Sequence, residues 1–210
     1  MTRNELIEQI LRQVYGEQPT DDASITPNLV NIYINQGVAL AAKQNYKDAI
    51  QLDGWGYVNN SFYSTFSGST ITVDNTDQFQ YYITLPQVPL GIGNTEGITS
   101  LQFKYGNEVS YTAIPMSMNQ VGYVNNLRAI PNKLLFFPEG NLVRIKTPLI
   151  LDSGYTWTAK LVSGGDSTNL NSNLNCPDDY IPLVVDYCMK LLMLERNQPK
   201  DTSNDGADNR

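Results

Sequence analysis

Histidine is absent from all 210 positions. The usual general base near neutral pH is therefore missing, and so is the commonest metal ligand. Ser-His-Asp and Cys-His arrangements are excluded with it, as are most zinc sites, while catalysis built on carboxylates, lysine or tyrosine stays open. Cysteine is nearly as scarce. Cys176 and Cys188 match neither a zinc spacing nor a disulfide framework, so free thiols and folding in a reducing cytoplasm are expected. No apolar run approaches the roughly 18 residues of a spanning helix, and the opening Met1–Leu6 lacks the apolar core of a signal peptide. Charge is sparse too, at 17 % of residues, with 14 basic against 21 acidic side chains and a formal net charge of −7. Tight wrapping of nucleic acid needs clustered Lys and Arg, and is not expected as a main task.

What is present is enough apolar material, 41 % of the chain, to build one sizeable domain or two small ones. Thr2 and Glu5 form the Thr-x-x-Glu signature of a capping box. Leu6, Ile7, Ile10, Leu11 and Val14 then follow at helical spacing, up to Gly16 and Pro19. A second helix opens at Thr26-Pro27, with proline in the tolerant first position, and continues through Leu29, Val30, Tyr33, Gly37 and Leu40 towards Ile50. Gly37 is costly inside a helix and predicts a close helix–helix approach.

From Trp55 to about Val162 the pattern changes to period two. Phe79, Tyr81, Ile83 and Leu85 alternate, as do Thr99, Leu101, Phe103 and Tyr105. Tyr155, Trp157, Ala159 and Leu161 oppose Thr156, Thr158 and Lys160. Gly106-Asn107 predicts a tight hairpin loop and Pro138–Asn141 a longer one. Ser163–Asn175, rich in Gly, Ser and Asn, predicts a flexible connection. A last helix is expected after Pro177, with an aspartate as cap and Ile181, Val184, Val185, Cys188, Leu191 and Leu192 on its apolar face. None of the three helices buries its stripe alone. The expected fold class is therefore α+β: a small helical bundle from the N- and C-terminal helices with an inserted antiparallel β sandwich or barrel. The expected divisions are 1–53 with 176–198 as the helical core, 55–165 as the inserted β domain, and 199–210 as an extended polar tail.

Each chemically suggestive motif has a plainer reading. Asp201-x-Ser203-x-Asp205-Gly206 begins like a calcium loop, but the glutamate that should follow six residues after the glycine is missing. Gly91-x-Gly93 with Gly97 lacks the spacing and strand-to-helix setting of a phosphate loop. Asp178 and Asp179 at a helix start read as cap and dipole partner, not as an acid–base pair. The thirteen tyrosines with Trp55 and Trp157 suit a core or subunit interface, or platforms for a carbohydrate. Cys188 reads as a small buried hydrophobe. No catalytic residue, cofactor site or metal site is expected.

The whole pattern resembles the adaptor, or ring, proteins of tailed-phage head–tail connectors, particularly those of crAss-like and other podophages. The likeness rests on the opening helices Asn4–Tyr15 and Pro27–Ile50. It rests also on "YYITLPQVPLGIGNTEGITSLQF" (Tyr81–Phe103), "LLFFPEGNLVRI" (Leu134–Ile145) and the ending "DDYIPLVVDYCMKLLMLERNQPKDTSNDGADNR". The resemblance implies a non-enzymatic virion protein at the head–tail junction, assembled in the host cytoplasm. Its copies would form a dodecameric ring below the portal that extends the DNA channel for ejection. The implied partners are the portal protein, other tail or ring proteins, further copies of itself, and double-stranded DNA passing without sequence-specific binding; no membrane is implied. Asp201, Asp205 and Asp208 in the tail are the expected partner-binding residues. The alternative is a carbohydrate- or receptor-binding β-sandwich of a virion or cell surface, stacking sugars on aromatics between Trp55 and Trp157.

Overall fold

The computed structural model describes residues 1–16, 25–74, 79–92, 97–106, 110–117, 133–164 and 169–196. The chain is an α+β fold with helices at both ends and a sheet between them. It forms two compact units, Met1–Ala41 with Gly164–Arg210, and Ala42–Ser163.

In the first unit α1 spans Arg3–Tyr15, and both halves of the capping box are made. Thr2 N–H donates to Glu5 Oε2 at 2.7 Å, and Glu5 N–H to Thr2 Oγ1 at 3.3 Å. The Thr2 backbone N–H, and after it the Thr2 side chain, holds the Glu5 carboxyl below its ordinary pKa. The apolar stripe Leu6, Ile7, Ile10, Leu11 and Val14 is buried. At its end Gly16 takes a positive φ and returns its N–H to Arg12 O. Helix α2 covers Pro27–Asp53, three residues further than the sequence pattern reaches, and the division between the units falls within it. Thr26 Oγ1 accepts from Leu29 N–H at its start. Helix α3 spans Ile181–Arg196 and buries Val184, Cys188 and Leu192. The close approach predicted at Gly37 is real: a Cβ there would stand 2.9 Å from Val184 Cγ1 of α3.

Two expectations for this unit are corrected. From Asn169 onward the Ser163–Asn175 connection is pinned to the chain start. Leu170 O and Ser172 O accept from Asn4 N–H and Arg3 N–H, while Leu174 N–H donates to Met1 O. Composition suggested flexibility, but these main-chain groups find fixed partners. The cap of the last helix is also different. Pro177, extended at ψ 147°, precedes a 3-10 turn over Asp178–Tyr180 that makes no side-chain cap bond. The two aspartates occupy that first turn instead, where carboxylates favour the helix dipole.

Among its described residues the second unit carries eight strands: β1 Tyr63–Gly68, β2 Thr72–Val73, β3 Tyr81–Thr84, β4 Ile98–Tyr105, β5 Ser110–Pro115, β6 Leu134–Glu139, β7 Leu142–Lys146 and β8 Tyr155–Val162. They form one sheet, in the order β1-β8-β4-β5-β6-β7-β3-β2, curled as a half-barrel. Adjacent strands are antiparallel except β5 and β6, which run parallel with Ala113 beside Leu134. The loop foreseen over Pro138–Asn141 tightens to two residues, because Glu139 pairs with Leu142 and Gly140 supplies the positive φ.

Alternation settles the inner face. Trp157, Ala159 and Leu161 of β8 pack with Leu101, Phe103, Ile145 and Phe136 in the main core. A smaller cluster of Phe79, Met116 and Leu135, with Phe137 against it, covers part of the opposite face near β6. Among the described residues no helix is long and apolar enough to cross a membrane.

Candidate functional site

The residues singled out from the sequence do not converge. Asp201, Asp205 and Asp208 lie outside the described residues. Gly93 and Asn107 do too. Gly97 is an internal packing point: its φ is +82°, and a Cβ would meet Leu90 O at 2.0 Å. Trp157 is only 5 % exposed, and its indole N–H donates to Thr70 O at 3.2 Å, so a sugar has no access to its face. Cys176 and Cys188 are free and buried. Among the described residues no group of three potential metal ligands is found.

Burial pushes both thiols up to about 12, with Asp179 and then Asp178 adding to the effect at Cys176. An ordinary thiol titrates near 8.5, so above that pH the unfolded chain loses protons that the folded chain keeps. The thiols therefore contribute stability that is full below about pH 8.5 and is lost as pH rises towards about 12. The urea midpoint should fall as pH is raised from about 8 to about 10, with a shallower fall in Cys176→Ala/Cys188→Ala. Iodoacetamide at neutral pH should label either thiol only after unfolding.

What the fold does present is surface. At the end of α2 four apolar side chains stand out of the second unit within eight residues. Ile50 and Tyr57 are exposed, Leu52 is 83 % exposed and Trp55 79 %. The Tyr57 hydroxyl donates to Asp53 Oδ2 at 2.5 Å, which fixes the ring and raises the phenol pKa. Tyr46 lies against the backbone of Gly56, so the stretch is supported from below. The first unit shows exposed Ile32 and Leu40 on one line of α2, and Met193 and Leu194 near the end of α3. An open groove of about 400 Å³ runs between α1 and α3, lined by Gln9, Gln13, Ile181, Pro182, Val185 and Met189 with Asp186.

The outer side of the sheet is divided chemically. Near β7, Arg144 Nε donates to Glu139 Oε2 at 2.6 Å and a second guanidinium nitrogen to Asp74 Oδ2 at 2.5 Å. The Phe79 ring lies 5.8 Å below it, and the paired carboxylates hold its pKa above the ordinary value. Across β1, β8, β4 and β5 three rows of outward positions hold polar residues and no carboxylate. Ser67, Thr158, Gln102 and Thr112 are successive cross-strand partners, with 3.2 Å between the hydroxyls of Ser67 and Thr158. Thr65, Lys160 and Ser100 form the row on one side. Thr156, Lys104 and Ser110 form the row on the other. The polar positions are visible in the alternation of β8, but nothing local in the sequence says which strands stand beside it. Comparison with protein-family models finds no match, and a search among curated proteins finds none either.

Proposed function

We propose that this protein is a structural, non-catalytic virion component. Its copies assemble into a ring below the portal, join head to tail, and continue the channel through which DNA leaves. The observation that carries the reading is the exposed apolar stretch Ile50–Tyr57, with Trp55 and Leu52 almost bare. Large exposed apolar patches mark association surfaces, and aromatic anchors dominate the energetics of such interfaces. A second set of exposed apolar side chains, Ile32, Leu40, Met193 and Leu194, belongs to the other unit. A patch on one copy that fits a different patch on the next makes a head-to-tail contact, and such contacts give a ring when the rotation from copy to copy closes. The low charge of the chain, 17 %, suits a surface covered by neighbours, since interface cores are depleted of charge. Helices from both chain ends flanking an inserted sheet is also the layout of the connector family that the sequence resembles.

The carboxylates of Asp201, Asp205 and Asp208 are proposed to meet cationic residues of the portal or a neighbouring tail protein. Of the two tryptophans Trp55 supports the carbohydrate-binding alternative and Trp157, taken up by the core, does not.

Trp55→Asp and Leu52→Asp test the reading. Both side chains are exposed, so circular dichroism and the denaturation midpoint should stay close to wild type. Association measured by mass photometry should weaken at least about thirtyfold for Trp55→Asp, the effect of losing a buried anchor worth about 2 kcal/mol. Negative-stain images of the wild type, alone or with portal, should show rings that the variants lack. Wild-type particles that stay monomeric with and without portal would refute the reading.

A further inference from the structure

We infer that the outer face of β1, β8, β4 and β5 is a low-affinity surface for the phosphate backbone of duplex DNA, touching it without gripping it. The choice of DNA as the polyanion rests on the connector reading; the choice of face rests on chemistry alone. Chain-wide, carboxylates outnumber cations by 21 to 14, yet the three rows of this face hold Lys104 and Lys160 and no carboxylate. Among the described residues neither lysine makes an ion pair, whereas Arg144 on the other part of the sheet is held by Asp74 and Glu139. Lys160 Nζ stands 4.8 Å over the Tyr63 ring and 3.4 Å from Asn60 Oδ1, contacts that orient the ammonium and leave its charge unneutralised. The hydroxyls and the Gln102 amide around the lysines are the neutral groups that donate to phosphate and sugar oxygens without reading sequence.

Spacing and charge also set the strength. Lys160 pairs with Ser100, four residues before Lys104 on the adjacent strand. The two lysine backbones are thus roughly 14 Å apart, and each meets a different phosphate. Two phosphate contacts give a slope of log K against log salt of about −1.8, or roughly a twelvefold loss between about 50 and 200 mM salt. Proteins that clamp DNA make several times as many contacts, so this face lets a duplex slide. The apolar clusters elsewhere on the molecule offer phosphate no donor, and a neutral polysaccharide would not need the lysines.

The test is a titration of the isotopically labelled full chain with a short duplex of mixed sequence, followed by backbone amide shifts. Shifts should concentrate on β1, β8, β4 and β5, fade with salt at the stated slope, and vanish in Lys104→Glu/Lys160→Glu. Lys104→Gln/Lys160→Gln repeats the comparison if charge reversal disturbs folding. Thr112→Lys adds a cation to the middle row, and should steepen the slope by about 0.9. Shifts confined to other surfaces, shifts that survive removal of both lysines, or equal salt-independent shifts with a neutral glucan would overturn the assignment. Imaging the same preparations separates this from the connector reading. Rings with silent amides on this face refute the face alone, and responding amides without rings uphold the face while the connector reading fails.

Discussion

Gly97→Ala is expected to lower stability by about 2–6 kcal/mol, a large share of the roughly 5–15 kcal/mol that holds a typical domain. Two separate costs meet at this position. Its φ of +82° is strained for any side chain, and the added Cβ would lie 2.0 Å from the Leu90 carbonyl oxygen. That oxygen belongs to the main chain and has little room to yield. Leu90 N–H donates to Val162 O at 3.1 Å, and Val162 N–H donates to Gly97 O at 2.8 Å. The end of β8 thus ties both approaching segments together. Gly140→Ala is the control, since its φ is +63° but a Cβ there meets nothing within 4 Å. It carries only the backbone cost of about 1 kcal/mol. Urea denaturation should separate the two variants clearly. Equal midpoints would mean that the Leu90 segment gives way and that the close approach holds nothing.

Gly97 also shows what kind of information the sequence contains. With Gly91 and Gly93 it lacks the spacing of a phosphate loop and reads as an ordinary loop glycine, and only the packing against Leu90 explains it. Features decided within one helix or strand were readable: the Thr2–Glu5 capping box, the proline opening of α2 and the alternation of β8, and at Gly37 the need for a close approach was readable but its partner Val184 was not. Features decided by distant partners were not. Nothing near Tyr63 says that β1 lies beside β8, or that β5 and β6 run parallel, so the polar face built from four separated strands stayed hidden. The two tryptophans illustrate both cases. Trp157 shares its side of β8 with Ala159 and Leu161 and was readable as core, whereas Trp55 stands in no periodic pattern and its exposure comes from the fold. The connection after Asn169 was misread because composition reports side chains, while its order comes from main-chain bonds to Met1, Arg3 and Asn4.

Arg3→Leu is the other substitution with a large expected effect, a loss of about 3–5 kcal/mol. A cation in the first turn of a helix opposes the dipole, so its presence there signals that something stronger holds it. Arg3 is 0 % exposed. One terminal guanidinium nitrogen donates to Asn31 Oδ1 and Asn35 Oδ1, both at 2.7 Å, and the other donates to the Gly164 carbonyl oxygen. Asn31 and Asn35 are one turn apart on α2, and Gly164 is where the chain comes back from β8. A single side chain therefore fastens the start of α1, the face of α2 and the returning strand connection. Leucine fills part of the volume and removes the charge, but it leaves those three acceptors without the donor they were folded around, at about 1–3 kcal/mol each before relaxation. Arg3→Lys should fall between wild type and leucine, because an ammonium lacks the planar fork that reaches several acceptors at once. The network also predicts coupling. Asn35→Ala should cost clearly less in the Arg3→Leu background than alone, by about 0.5–3 kcal/mol in a double-mutant cycle. Additive effects, or an Arg3→Leu variant within about 0.5 kcal/mol of wild type, would show that the fold does not depend on this fastening.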